Sequence, residues 1–172
     1  MKDLVEASKR QDAEAFAKLY EIVYKDMYAY AYYMLSNEQD AEDIVSETVM
    51  SAYEGIKKLK DSSLFRNWIF KILSNKCKKK RKQYAKRSEH YLEDIKKEIT
   101  TEDVNHADRE VIRKAFSLLS DEERMIVGSY IFGGFKGEEI AEKLGMKHST
   151  VRSKYRRTLQ KLQRELEAGG VV

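Results

Sequence analysis

The chain has 172 residues, no proline, 36% charged residues and a formal net charge of +4, a composition that favours small helical units with wet surfaces over one deep core. Its single Cys77 excludes an internal disulfide and fits a reducing compartment. No apolar run approaches the roughly 18 residues of a membrane span and the first residues lack a secretory pattern, so we expect a cytoplasmic protein.

The first predicted helix follows apolar residues that recur every three or four positions from Phe16 to Met34. A turn leads into a second amphipathic helix, whose apolar positions run from Ile44 to Ile56. This second helix is acidic, because the stretch 38–54 contains six acids and no base. The polar segment after it, 57–63, is predicted to be a loop.

A third predicted helix begins at Phe65 and Trp68 and continues into a basic stretch, 66–87, which contains ten bases and no acid. Cationic groups follow a nucleic-acid backbone, and aromatic residues or pockets hold unstacked bases. Phe65 and Trp68, three residues apart, are more typical of a hydrophobic core than of a base platform, so we expect them in the core. The lysine run within this stretch is by itself also typical of a solvated helix end.

Clear periodicity is lost from about 84 to 105, where acids prevail, and this segment is predicted to be a flexible linker. A second helical unit follows, in which Ser120 and Glu123 form a capping box that starts a helix. The sequence thus predicts an all-α protein of two small helical domains joined by an acidic linker, the second being a four-helix domain. The predicted boundaries are 1–84 for the first domain, 85–107 for the linker and 108–172 for the second domain.

The segment 137–157 has the pattern of a helix-turn-helix, which lays its second helix in the DNA major groove. Ala141 lets two helices approach closely, Gly145 supplies the turn conformation, and Val151 points back into their shared core. The last helix lies in a second basic stretch, 143–164, with eight bases and no acid. An ordinary amphipathic hairpin is the alternative, but the basic outer face favours DNA binding. The predicted inward stripe of this helix comprises Val151, Tyr155, Leu159, Leu162 and Leu166.

The outer face of the last helix offers hydroxyl and guanidinium groups for duplex DNA. Arginine binds phosphates or reads guanine O6 and N7 with two hydrogen bonds, and serine or threonine bonds phosphates or base edges. The helix N-terminus also favours a phosphate. The predicted contacts are Ser149, Thr150, Arg152, Ser153, Arg156 and Arg157.

Paired carboxylates in the segment 40–43 allow two interpretations. Carboxylates bind metals or carry out acid–base chemistry, but His90, His106 and His148 are scattered and give no ligand spacing. A negative helix face that meets a basic protein partner fits better. We therefore predict no metal, no cofactor and no enzymatic activity. A metal-dependent helical enzyme is the alternative, and it rests on the carboxylates alone.

Three motifs, in order and covering most of the chain, resemble those of the bacterial extracytoplasmic-function (ECF) sigma factors. The run DAEDIV at 40–45, followed by Glu47-Thr48, is similar to the family's region 2.2. The run FRNWIFKI at 65–72, with Asn75, resembles regions 2.3 to 2.4, and 119–166 resembles region 4. Each motif is moderately specific alone, and three in order at these spacings are strongly indicative.

The resemblance implies a subunit that gives RNA polymerase core its promoter specificity. The acidic helix would bind the clamp helices of the polymerase β′ subunit, and the first half would engage the minus-10 element as it melts, with loop 57–63 placed to capture a flipped base. The second half would read the minus-35 duplex, and an anti-sigma factor, often membrane-anchored, would hold the protein inactive. The implied polymerase contacts are Asp40, Glu42, Asp43 and Glu47. The implied minus-10 contacts are Lys60, Ser62, Ser63, Arg66, Asn67, Asn75, Lys76 and Lys79.

Some positions depart from the family's pattern. Ser46 stands where glutamine is usual, and Ser120 replaces a usual proline. Lys147 stands where a hydroxyl residue normally caps the recognition helix, and a lost cap costs roughly 1 kcal/mol. The alternative to a sigma factor is a stand-alone helix-turn-helix regulator, which would leave the acidic helix without a role. Cys77 lies among lysines that would stabilise a thiolate, although a bystander thiol is the simpler interpretation.

Overall fold

A computed structural model describes residues 1–88 and 105–169, which form eight α-helices and two short 3-10 helices and include no strand. The N-terminal half comprises α1 (Lys2–Lys9), α2 (Ala13–Leu35), α3 (Glu38–Gly55) and α4 (Phe65–Ser88). The C-terminal half comprises α5 (Asn105–Ser117), α6 (Asp121–Ile131), α7 (Gly137–Leu144) and α8 (His148–Ala168). The all-α prediction is confirmed, and α1 is an addition to the predicted helices. Most of the predicted linker, 89–104, lies outside the described residues.

Local capping fixes the hairpin formed by α2 and α3. Asp12 accepts a hydrogen bond from the Ala15 amide at 3.0 Å, and Asn37 accepts one from the Asp40 amide at 2.8 Å. Between the helices, Ser36 adopts the left-handed conformation with φ 55°, which ends α2 and turns the chain. The left-handed conformation of Ser36 thus ends α2, and the Asn37 cap starts α3, where the sequence predicts.

The apolar faces of α1 to α4 enclose the core of the N-terminal half. Leu73 and Phe65 are fully buried there, and Trp68 packs against this cluster, so the expected core placement of both aromatic residues is confirmed. Cys77 is buried in the same core. The predicted loop, 57–63, overlaps two 3-10 helices, Ile56–Lys58 and Ser62–Leu64.

The helix-turn-helix geometry is present in the C-terminal half. Gly145 adopts φ 65° at the end of α7, and the Met146 amide donates to the Ala141 carbonyl at 2.9 Å, which closes the turn. Ala141 and Val151 are buried in one cluster with Ile140, as predicted. The capping box also forms: the Glu123 amide donates to Ser120 Oγ at 3.2 Å, and the Ser120 amide donates to Glu123 Oε2 at 2.8 Å.

The inward stripe of α8 differs from the prediction at one position. Leu159 is 37% exposed and borders an apolar groove between α2, α5, α6 and α8. Thr158 takes the inward position instead and is 1% exposed. Its hydroxyl donates to the Lys154 carbonyl at 2.8 Å, so a polar side chain is buried with its hydrogen bond satisfied inside its own helix.

Candidate functional site

The predicted duplex-reading residues share the outer side of α8. Positions 149, 152, 153, 156 and 157 are exposed and 150 is half-buried, as expected for residues three and four apart on one helix face. Ser153 Oγ donates to the Ser149 carbonyl at 2.9 Å, and Arg157 Nε lies 3.4 Å from the Ser153 carbonyl. The structure therefore brings this whole set of hydroxyls and guanidinium groups together.

Packing against α6 and α7 fixes the start of α8. The rings of Tyr130 and Tyr155 stack with centroids 4.1 Å apart. A Cβ atom at Gly137 would lie 2.5 Å from His148 Nε2 and against the Tyr130 hydroxyl, so a larger residue there would have to displace the ends of these two side chains. His148 is a candidate DNA contact that the sequence analysis missed. It is the first residue of α8, and residues at the start of a recognition helix contact base edges, so its position could have indicated this role. Within the described residues, the Lys147 side chain at the N-cap makes no capping hydrogen bond, because an ammonium group cannot accept a hydrogen bond from a backbone amide.

The minus-10 candidates fall into three separate groups, of which the first lies around the 3-10 helix Ser62–Leu64. Lys60 and Ser63 are exposed, whereas Ser62 is buried. Lys9 Nζ donates to Ser62 Oγ at 2.8 Å, and the Ser62 hydroxyl bonds the Glu6 carboxylate and lowers the pKa of that group. Ser62 therefore holds α1 in place and faces away from solvent.

The second group, Arg66 and Asn67, points toward the C-terminal half. The Arg66 guanidinium donates to Asp26 at 2.6 Å and to the Phe132 carbonyl at 2.5 Å. Asn67 Nδ2 donates to Glu139 Oε1 at 2.7 Å. Both side chains are engaged by groups that belong to the protein itself.

The third group, Asn75, Lys76 and Lys79, lines a cleft between α3 and α4. Lys76 Nζ lies 3.2 Å from Glu47 Oε2, which joins the basic helix to the acidic one. Asp43 also lines this cleft, so predicted DNA contacts and predicted polymerase contacts are neighbours here.

The acidic candidates on α3 divide between an outer and an inner side. Glu42, Asp43 and Glu47 are exposed on the outer side. Asp40 is half-buried, lies 2.6 Å from Lys80 Nζ and accepts a hydrogen bond from the Tyr84 hydroxyl. Burial raises the pKa of Tyr84, and the Asp40 carboxylate raises it further. Asp40 thus ties α3 to α4 rather than joining the outer face.

Met50, which sequence reasoning missed, lies on the same outer side of α3 and is 66% exposed. Ser46 is exposed there as well, and both positions follow the three- and four-residue spacing of Asp43 and Glu47. That spacing was the available signal. We name the set Glu42, Asp43, Ser46, Glu47 and Met50 the acidic face.

Cys77 is not a reactive thiol in this fold. Burial raises its pKa to about 12, and the nearby Lys143 lowers it by less. No group of three histidine, cysteine or acidic residues within 1–88 and 105–169 is placed to hold a metal ion. In the same ranges, no helix is both long enough and apolar enough to span a bilayer.

Comparisons with solved structures and with curated proteins both find sigma factors. The sigma factor RpoE of Bartonella quintana, solved in complex with the anti-sigma factor NepR, has the same fold, with a TM-score of 0.74 and 22% identity over 90% of this chain and 98% of that one. The ECF RNA polymerase sigma factor SigL of Mycobacterium tuberculosis is 26% identical over 173 residues, which is 98% of each chain. The RNA polymerase sigma factor NccH of Alcaligenes xylosoxydans xylosoxydans is 30% identical over 145 residues, 78% of this chain and 77% of that protein.

Family models match both halves of the chain in the expected order. Sigma-70 region 2 matches residues 19–87, which include the acidic face and the basic helix α4. Sigma-70 region 4 matches residues 109–162, which include the helix-turn-helix. With the relatives above, these matches show that the chain belongs to the ECF family of RNA polymerase sigma factors, which direct promoter-specific transcription.

Proposed function

We propose that this sigma factor divides promoter recognition and polymerase binding between two exposed surfaces on opposite halves of the chain. The observation that carries the proposal is the contrast between the arginine- and hydroxyl-bearing side of α8 and the acidic face of α3. A stand-alone helix-turn-helix regulator is not favoured, because region 2 matches the half that such a regulator would leave without a role.

The outer side of α8 is proposed to read the minus-35 duplex. Recognition helices contact base edges near their N-terminal residues, which here are His148, Ser149 and Arg152. Arg156 and Arg157 follow one turn later and suit the phosphates that position the helix. With Lys147 in place of a capping hydroxyl, the free amides at the start of α8 suit a DNA phosphate.

The acidic face is proposed to bind the clamp helices of the polymerase β′ subunit. Glu42, Asp43 and Glu47 supply the charge that attracts and orients a basic partner helix. Met50 adds exposed apolar surface on the same side, and interface energy is concentrated where such groups become buried. Asp40, already paired with Lys80, is proposed to support this face indirectly.

The minus-10 strand is proposed to contact Lys60, Ser63, Asn75, Lys76 and Lys79, with Arg66 and Asn67 joining once their present contacts are released. Extrusion of a base costs a few kcal/mol of stacking, which pocket and backbone contacts have to offset. Binding energy alone suffices for this step, so we propose a non-catalytic protein that uses no cofactor.

An anti-sigma factor is the further partner that we propose, and the cytoplasm is the proposed compartment. The support is membership of this family and the RpoE relative, which was solved together with its anti-sigma factor NepR.

Transcription reconstituted with purified core polymerase tests the proposal. We expect the protein to bind core and to direct initiation from a subset of genomic promoter fragments. A protein that binds duplex DNA but neither binds core nor supports initiation would be the stand-alone regulator instead. Metal analysis of the same preparation tests the enzyme alternative.

A further inference from the structure

Tyrosines recur along α2 at intervals of four residues, which is about one helical turn. The centroids of neighbouring rings are 5.3 Å apart for the first pair and 6.2 Å apart for each of the next two. The last pair is nearly parallel, with 6° between the ring planes. We call this set the tyrosine ladder, and it comprises Tyr20, Tyr24, Tyr28 and Tyr32. From end to end it extends about 18 Å along the helix.

The ladder keeps part of its aromatic surface outside the core. Tyr24 is 40% exposed, and the other three tyrosines are half-buried, with one side against the core of the N-terminal half. Three of the four rings line an open cleft of about 500 Å³, together with Lys25 of α2 and Glu38 of α3. Tyr30 on the same helix is fully buried by contrast, so the ladder is a separate surface of α2.

Carboxylates of α3 border the ladder. Burial raises the pKa of the Tyr28 hydroxyl, and the carboxylates of Glu38 and Glu42 raise it further. Both carboxylates are exposed, and their spacing of four residues puts them on one side of α3. Lys25 is the cation that lines the cleft. The rings therefore stand beside a mainly negative edge.

These two carboxylates also differ from their neighbours on α3. Asp40 pairs with Lys80 and Glu47 lies 3.2 Å from Lys76, whereas Glu38 and Glu42 form no ion pair with any residue in 1–88 or 105–169. Two anions beside exposed rings thus keep their capacity for an external cation.

The chemistry of the ladder favours arginine over a nucleic-acid strand. Platforms for unstacked bases join aromatic rings to a positively charged groove, and here carboxylates would repel the phosphates. A guanidinium group stacks on aromatic faces and forms two parallel hydrogen bonds with a carboxylate. The ammonium group of lysine is compact and more strongly hydrated, so it gains less from the rings.

The spacing of the ladder favours a helical partner. Side chains four residues apart on a helix rise by about 6 Å, which matches the interval between the rings. Alternate side chains of an extended strand rise by about 6.7 Å and fall about 2 Å out of step over the length of the ladder. A helix that lies along α2 therefore keeps one cation beside each ring.

We propose that the tyrosine ladder, with Glu38 and Glu42, is a docking surface for a protein partner that presents a helix with arginines one turn apart. The rings select arginine over lysine, and the two carboxylates orient the helix along α2. Binding at this surface can be measured without polymerase or promoter DNA.

Alanine-based helical peptides of about 20 residues test this chemistry. One peptide carries arginine at four-residue intervals, and two others carry lysine or glutamine at the same positions. Fluorescence anisotropy of the labelled peptides, titrated with the full-length protein, should show the arginine peptide binding about tenfold more tightly than the lysine peptide, and the glutamine peptide binding most weakly. Equal affinity for the arginine and lysine peptides would overturn the proposal. Displacement of the arginine peptide by single-stranded oligo-dT would assign the surface to nucleic acid instead.

Leucine exchanges test the rings themselves. Tyr24→Leu and Tyr28→Leu remove aromatic faces but keep apolar bulk and a strong helix former. Each should weaken binding of the arginine peptide about threefold to tenfold and reduce its advantage over the lysine peptide. Tyr53→Leu is the matched control, since this half-buried tyrosine of α3 contacts Phe16 at 5.0 Å outside the ladder. If the ladder variants bind like Tyr53→Leu and lose only stability, the rings merely brace α2 and the docking surface is refuted.

Two charge variants change the cleft without altering the rings, so they remain informative if a leucine variant fails to fold. Glu38→Gln should weaken binding of the arginine peptide about threefold, and Lys25→Gln should strengthen it by a similar factor. Unchanged affinity in both variants would contradict the assigned role of the carboxylates. Peptide binding by a protein that fails to bind core polymerase would refute the proposed function and leave this docking surface intact.

Discussion

The carboxylate of Asp40 lies 2.6 Å from the ammonium of Lys80, inside the angle between α3 and α4. Both side chains are largely covered, so this pair is screened less than a surface ion pair. The ion pair gives Asp40 a structural role, whereas Asp43, three residues later in the same motif, is exposed.

Asp40→Ala and Asp43→Ala should therefore separate stability from polymerase binding. Asp40→Ala leaves Lys80 and Tyr84 without their acceptor and should lower the free energy of unfolding by about 1–2 kcal/mol. Asp43→Ala should leave urea unfolding within about 0.5 kcal/mol of wild type but weaken core binding. If Asp43→Ala binds core normally, the acidic face is not the polymerase contact.

Arg152→Ala should weaken binding to duplex DNA that carries the minus-35 element while core binding stays intact. If Arg152 reads a guanine, the loss is about 1–3 kcal/mol and confined to the cognate sequence; if it binds a phosphate, the loss is uniform and the salt slope falls by about 1. Arg164→Ala is the matched control, since it is exposed on the same helix about 18 Å further along. Equal loss in both variants would argue for a general charge effect.

Lys147→Ser should stabilise the protein by about 1 kcal/mol, because serine at the N-cap of α8 bonds an amide that the lysine side chain leaves uncapped. Urea unfolding measures the gain, and Lys147→Ala, which removes the charge without adding a cap, should show no comparable gain. Duplex affinity should fall modestly in both variants, since each loses a cation next to the proposed phosphate site.

The contact between the N-terminal and C-terminal halves, across which Lys143 of α7 donates a hydrogen bond to Ser74 of α4, should tighten as pH rises from about 8 to 10. Burial, with Lys71 and Lys78 nearby, lowers the pKa of Lys143 to about 8, from an ordinary value of 10.5. Between these values a chain whose halves have separated (the open form) holds a proton that the packed chain (the closed form) has released. Rising pH therefore favours the closed form, and below about pH 8 this contribution is constant.

Scattering at pH 7.5 and 9.5 measures this effect through the balance of closed and open chains. The Lys143 ammonium lies over the Phe135 ring, 5.5 Å from its centroid. Lys143→Met keeps an unbranched side chain at this position but cannot titrate, so the difference between the variant and wild type isolates this amine from other lysines. An identical pH response in the two proteins would show that Lys143 does not cause the pH dependence.

Local features of the fold could be predicted from sequence because residues a few positions apart determine them. The capping box at Ser120 and Glu123 and the turn at Gly145 belong to this class, and so does the shared exposed side of α8. Leu159 was placed wrongly because Thr158 satisfies its hydroxyl within its own helix, which lets a polar residue take the buried position.

The contact between the N-terminal and C-terminal halves could not be predicted, because it depends on residues that are far apart in the chain. Arg66 and Phe132 are 66 residues apart, and no local spacing marks them as partners. The same holds for Ser62, whose contact with Lys9 requires α1, a helix absent from the sequence prediction. Basic composition predicts that α4 is a surface for anionic groups, and in the fold carboxylates of both halves occupy part of it: Glu47 and Asp40 from the N-terminal half, Asp121 and Glu139 from the C-terminal half.

The buried thiol of Cys77 has a practical consequence for experiments on this protein. A group that is fully enclosed, with a pKa raised to about 12, reacts with maleimides far more slowly than an exposed cysteine. A pair of surface cysteines, one in each half, can therefore carry fluorescent dyes while the native residue stays in place. Distances within single molecules then become measurable in the otherwise unaltered chain, from free protein through the polymerase-bound state to the promoter complex.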